Sequence, residues 1–319
     1  MNRLSRWIQR QLRRQPHRST TSKAALDLKP RLHQILSQPS QLLVFVRYER
    51  SDDLPSCQAA FLADLASLGW HIWIVDHSAI PLATTWLECS GCSLYWQRPN
   101  SGMCIGAYAE AISLLNDVLD ESATLITPTK LALINNSFLP LLAPSANPLL
   151  TDLFSLPLSA THFRGLTESR EQAYHLQSYI LILGSDGWRG VSAARNFWKG
   201  CQNLGQRIDV ISEGEVALTG ILQTAGLQAE VILPLSQLAA QGQTRVGVQA
   251  HHPVSPIEHN PYLVYWKELL QLTGIIKKSA LNNASQSITA DATLADFFAI
   301  TRQAQLPGAE AAIDRLVRH

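Results

Sequence analysis

The chain has 319 residues, 46% hydrophobic and 16% charged, with a formal net charge of +1. This composition supplies a sizeable buried core and excludes a disordered chain, and the balanced charge offers no bulk attraction to nucleic acid. No apolar run reaches the roughly 20 residues that cross a bilayer, and no signal-peptide core is present, so a cytoplasmic protein of about two domains, or one large unit with extensions, is expected.

The charge is uneven. Residues 1–31 carry nine Lys or Arg against one Asp, leaving 17 basic and 24 acidic residues for the rest. Within residues 1–18, Leu4, Trp7, Ile8 and Leu12 share one helical face between Arg3, Arg6, Arg10, Arg13 and Arg14. A basic helix with such a stripe suits peripheral contact with an anionic membrane, and equally a solvated leader. Residues 15–40, rich in Pro, Ser, Thr and Gln, read as a linker, so residues 1–40 form a leader and linker ahead of the folded unit.

That unit, residues 41–281, alternates strand and helix. Leu42–Val46 is a strand apolar on both faces, followed by polar Arg47-Tyr48-Glu49-Arg50. Pro55–Leu68 is a helix closed by Gly69. Trp70–Val75 is a second strand, ending in Asp76-His77-Ser78. As neighbours on a strand, Asp76 and His77 point to opposite faces and are rim residues rather than a catalytic pair. Cys89-Ser90-Gly91-Cys92 lacks a second CxxC or paired histidines, so ordinary thiols are favoured over zinc or redox chemistry. Leu94–Trp96 is the third strand.

Next comes the stretch 98–137. Asn100-Ser101-Gly102 signals a turn, and Gly106 is a second glycine. Ile105, Tyr108, Ile112, Leu115 and Leu119 have helical spacing. Leu131–Ile134 is a buried strand ending in Asn135-Asn136-Ser137. Turn, helix, strand and a polar strand end form the unit from which an α/β protein builds a ligand crevice, although neither a G-x-G-x-x-G nor a GK[ST] is present.

Residues 140–157 are expected to wrap the surface with one short helix. The run from Tyr174 to Leu183 ends as a strand, and its start carries His175, Gln177 and Ser178, expected on one face either as ligand contacts or as an internal network. Ser192–Cys201 is a helix. Val210–Leu222 is another, with Glu213 and Glu215 at its start, placed there for the helix dipole or, for a glutamate facing the crevice, as a proton acceptor. Val231–Leu233 is a short strand, and 242–256 is a loop whose adjacent His251-His252 lack metal spacing. Asn260–Leu270 is a capped helix containing Trp266, and Ile275-Ile276-Lys277-Lys278 closes the unit. Residues 282–319 read as a polar linker plus a helix from about Leu294. The alternation predicts an α/β, Rossmann-like sheet of parallel strands with helical crossovers.

From about Leu42 to Leu281 the ordered motifs LGWHIWIVDHS, RPNSGMCIGAYAEAI, LALINNSFLPL, YHLQSYILIL, ISEGEVALTGILQTAG and NPYLVYWKELL with IIKKSAL resemble the rhamnan synthesis protein F family. The resemblance implies a GT-A-type glycosyltransferase sheet with helices on both faces. It further implies a glycosyltransferase using a nucleotide-sugar donor (dTDP-rhamnose), a lipid-linked saccharide acceptor, and work at the inner face of the cell membrane in polysaccharide or O-antigen assembly. It assigns Arg98, Asn100, Gly102, Gly106, Asn135, Asn136 and Ser137 to the donor, and His175, Gln177, Ser178, Trp266 and Lys277 to donor or acceptor contacts. Glu215 becomes the catalytic base. Two departures, Cys104 and Asn136, each stand where the family has aspartate. Amide and thiol groups are poor ligands for hard cations. Three readings therefore stay open: a transferase aided by Mg or Mn, one without a metal, and a non-catalytic binding or scaffolding subunit.

Overall fold

The computed structural model describes residues 27–202, 204–245, 264–283 and 305–317. In order these form α1 (Lys29–Leu36), β1 (Gln41–Arg47), α2 (Ser56–Ser67), β2 (Trp70–Asp76), α3 (Thr84–Cys89), β3 (Cys92–Gln97), α4 (Met103–Glu121), β4 (Lys130–Asn135) and β5 (Phe138–Pro140). They continue with α5 (Pro148–Ser155), β6 (His162–Ser169), β7 (His175–Leu176), β8 (Ile180–Leu183) and α6 (Ser192–Cys201). A turn at Arg207–Asp209 runs through a π-helical stretch, Val210–Glu215, into α7 (Val216–Thr224). The last elements are β9 (Gln228–Leu233), α8 (Leu235–Arg245), α9 (Trp266–Thr273), β10 (Ile275–Lys277), α10 (Lys278–Asn283) and α11 (Ala309–Val317).

The main sheet has the order β3-β2-β1-β4-β8-β6-β7, with β9 beside β6. The expected α/β class holds, with helices on both faces. Strands β3, β2, β1 and β4 are parallel. Beyond them the expectation of parallel strands holds only for β9, which is parallel to β6; β8 runs antiparallel to β4 and to β6, and β7 antiparallel to β6. Only a few residues join β6, β7 and β8, too few for the crossover that a parallel pair needs. The connections reverse direction at β1, since β2 and β3 lie on one side of it and β4 on the other.

Alternation along each strand builds two cores. Leu43, Phe45, Ile72, Ile74, Ala132 and Ile134 face α2, α5, α9 and α11. Leu42, Val44, Trp73, Val75, Leu131 and Leu133 face α1, α4, α6 and α7. Two expectations give way here. The end of the supposed linker is α1, whose Leu32, Ile35 and Leu36 are buried in the second core. The stretch 140–157 is no surface wrap either, because Leu141, Leu150, Leu153 and Phe154 lie in the first core. Helix α9 begins at Trp266, so the cap expected at Asn260, the His251-His252 loop, the Leu294 helix start and residues 1–18 fall outside the described residues.

Because α1 contributes to the core, Leu32→Ala should cost about 2–5 kcal/mol. Urea unfolding checks this, and a change under about 0.5 kcal/mol, the usual range for a surface substitution, would make α1 dispensable.

Candidate functional site

The carboxyl ends of the parallel strands lie in one row. Arg47 is in register with Asp76, Asp76 with Gln97, and Val46 with Asn135. The ladder runs on into the loops: the amides of His77, Arg98 and Asn136 donate to the carbonyls of Arg47, Asp76 and Val46. Residues after β1, β2 and β3 thus enclose a cleft of about 610 Å³, lined by Tyr48, Glu49 and Arg50, by 77–80, and by 97–100. The end of β4 reaches its edge through Asn136, which bonds Tyr48 and Glu49.

A fully buried ion pair underlies the cleft. Arg47 Nη1 donates to both Asp76 carboxylate oxygens at 2.8 and 2.9 Å and to Ser78 Oγ at 2.7 Å, and both charged side chains have 0% exposure. Arg47 Nη2 donates to the carbonyls of Ser51 and Asp53. Asp76 also accepts from the amides of Ser78 and Leu82 and from the Tyr95 hydroxyl. Both groups are therefore structural, and they shape the loops that line the cleft.

His77 and Arg98 interlock on the cleft wall. Arg98 Nη1 lies 2.7 Å from His77 Nε2 and can only donate, so Nε2 is the acceptor and the imidazole is neutral. The proton sits on Nδ1, which donates to Asn100 Oδ1 at 2.9 Å. Burial, then the Arg98 charge, hold His77 down at a pKa of about 4. Arg98 also bonds Glu110, Ser101 Oγ and the Ser101 carbonyl. The expected donor contact Arg98 is thus buried and charge-compensated, whereas Asn100 is exposed in the cleft lining.

Gly102 has φ +69°, and a Cβ there would stand 2.8 Å from Gly106 Cα. A Cβ on Gly106 would stand 2.7 Å from the Ser101 carbonyl oxygen, and both positions approach the Cys201 carbonyl. Packing of the turn on α4 and α6 accounts for both glycines.

The end of β4 divides by strand alternation. Asn136 falls on the β1 side, where its Nδ2 donates to Glu49 Oε1 at 2.7 Å and to the Tyr48 carbonyl, and its Oδ1 accepts from the Tyr48 amide. Glu49 also pairs with Lys278. Asn135 falls on the α4 side near Tyr108, and its Oδ1 accepts from the Ser137 amide. The hydroxyl of Ser137 is buried without a partner among the described residues.

A second polar group lies on that side. Glu215 ends the π-helical stretch and is the N-cap residue of α7, and Glu213 lies in the first turn of that stretch, so both acids sit at helix starts, as the sequence placed them. Gly214 lets this stretch approach α4, since a Cβ there would be 2.9 Å from Ile105. Glu215 Oε1 accepts from the Ser178 amide at 3.1 Å. Burial, reinforced by the Glu215 charge, pushes the Cys104 thiol up to about 12, and burial pushes the Lys277 ammonium down while Glu215 opposes. Lys277 Nζ also lies 4.7 Å from the centre of the Tyr179 ring.

Of the block His175, Gln177 and Ser178, only His175 lies on a strand. Gln177 and Ser178 are in the turn that follows and, being adjacent, do not share a face by alternation. Gln177 is 2% exposed and accepts from Thr167 Oγ1, and His175 Nδ1 meets the Ala173 carbonyl. The internal-network reading describes both. Trp266 is half-buried against the first core, with Lys267 over its ring. Among the described residues no three His, Cys, Asp or Glu side chains are grouped to hold a metal ion.

No protein-family model matches the chain, and no curated protein matches it. Among solved structures it is similar to the glycosyltransferase GlyE of Streptococcus pneumoniae TIGR4, at 11% identity and a TM-score of 0.39. The match covers 75% of this chain and 54% of that one, so the chain spans about half the length of GlyE. The expected membership of the rhamnan synthesis protein F family is thus not confirmed by these comparisons. Among the described residues no helix is long and apolar enough to cross a membrane.

Of the cleft lining, sequence reading counted His77 as a rim residue and left out of the site Tyr48, Glu49, Arg50 and Ser78, among others. The signal for them was the polar strand end, the same signal that pointed to Asn135–Ser137.

The depressed pKa of His77 predicts an acid window. At neutral pH its neutral form costs nothing. As pH falls below 6.5 the unfolded chain takes up a proton that the folded chain refuses until about pH 4, which removes roughly 3 kcal/mol of stability. Urea unfolding from pH 7.5 to 4 should show this loss in the native protein and lack it in His77→Gln. Equal slopes in the two would place the proton elsewhere.

Proposed function

We propose that the chain is a glycosyltransferase that takes a sugar from a nucleotide-sugar donor to a growing saccharide. The observation carrying this reading is the cleft at the carboxyl ends of the parallel strands β1–β3, whose Tyr48 and Glu49 are tied by Asn136 to the end of β4. The cleft mouth presents Tyr48 at 59% exposure and Ile80 at 48%, surfaces suited to a planar base. The donor's base and diphosphate belong there, and Asn100 offers its amide to them. The motif order favours dTDP-rhamnose as donor and a lipid-linked saccharide as acceptor, with residues 1–18 resting on the membrane.

In this mechanism the acceptor hydroxyl oxygen forms a bond to the anomeric carbon. The bond from that carbon to the diphosphate oxygen breaks, and the diphosphate leaves with the electron pair. Glu215 takes the hydroxyl proton, and Lys277 steadies the Glu215 carboxylate. The Ser178 amide orients Glu215 through Oε1, a contact that glutamine can keep.

A second reading, a binding subunit without catalysis, draws on one observation. Asn136 spends its amide in clamping β1 to β4, where the family has a carboxylate.

Calorimetry and transfer assays against a panel of dTDP- and UDP-sugars separate the two. The transferase reading expects donor binding and transfer, and Glu215→Gln should lower transfer about 10²–10⁴-fold while donor affinity holds. Binding without transfer, or no binding by any sugar of the panel, overturns the transferase reading and selects the second, a non-catalytic binding or scaffolding subunit.

A further inference from the structure

We infer that the cleft holds the donor's diphosphate without a divalent cation, with the guanidinium of Arg50 supplying the compensating charge. This rests on the nucleotide-sugar reading above and specifies how that site handles charge.

The residues present do not fit a hard cation. Magnesium and manganese want several oxygen ligands, preferably charged. Glu49 is the one carboxylate in the described cleft lining, and Lys278 already neutralises it. Asn136 Nδ2 donates to Glu49 at 2.7 Å, so this amide presents hydrogens where a bridging metal would need lone pairs. Asp76 lies beneath the cleft floor, saturated by Arg47, Ser78, Leu82 and Tyr95. Cys104 keeps its proton at physiological pH.

The same residues fit an anion. Lys278 cancels Glu49, Asp76 cancels Arg47, Glu110 cancels Arg98, and His77 is neutral. Arg50 remains. It is exposed in the cleft lining and has no ion-pair or hydrogen-bond partner among the described residues. One uncompensated cation beside otherwise neutralised walls favours an anionic ligand, and a guanidinium meets phosphate oxygens through paired donors as an ammonium does not. The Glu49–Lys278 pair has a defined part in this arrangement, since it keeps a bare carboxylate from facing the phosphates.

Titration calorimetry of the full chain with dTDP and with UDP, in EDTA and then in magnesium or manganese, tests the inference. Equal affinity in EDTA and in metal is expected. Arg50→Ala should weaken binding about tenfold or more, Arg50→Lys should recover part of the loss, and Lys278→Met should also weaken binding by exposing Glu49. Binding seen only with metal, or unchanged in Arg50→Ala, overturns the inference and leaves the nucleotide-sugar reading standing. No binding of nucleotide under either condition overturns both.

Discussion

The rim of this molecule depends on the Arg47–Asp76 pair. Two charges with no exposure are expensive in a protein interior unless every lobe of each is answered. Here Arg47 reaches a carboxylate, a hydroxyl and loop carbonyls, and Asp76 accepts from a guanidinium, two amides and a phenol. Only Arg47 Nε lacks a partner. The answering groups come from residues 51–53, 78–82 and 95, so one neutralisation fixes both loops after β1 and β2. Tyr48, Glu49, Arg50, Ser78 and Ile80 take their places as a result.

The second organising constraint is the two-residue period of a strand. Asn135 and Asn136 are chemically identical and adjacent, yet they serve different sides of the sheet. Asn136 ties β4 to the cleft, and Asn135 belongs with Tyr108, Glu215, Cys104 and Lys277. An aspartate at 136 would put a negative charge 2.7 Å from Glu49, so the amide there is what lets Glu49 stay.

Much of this was legible in the sequence. The parallel half announced itself through continuous apolar strands, a glycine-capped helix and polar strand ends. In the other half the strands β8 and β9 were also read from the sequence, but β6 was missed, because it reads HFRGLTES and lacks an apolar run. Its Arg164 is buried nonetheless, through Glu230 and the carbonyls of Leu156 and Pro157. Helix α1 was hidden by a polar flank around Leu32, Ile35 and Leu36. Site candidates were chosen by strand-end position, and their pairing was hidden from the sequence. Arg98 looked available until Glu110 and His77 claimed it, and Gln177 looked aimed at a ligand until Thr167 met it.

The mixed sheet has a consequence for how the chain acquires order. In β6 and β7 Ser169 meets His175, so that turn closes with little loss of chain entropy, whereas Gln41 must find Lys130 for β1 to join β4. The antiparallel half can therefore nucleate locally and offer β4 a template, and the crossovers carrying the cleft condense onto it later. Recognition would then reside in the half whose assembly is entropically dearest.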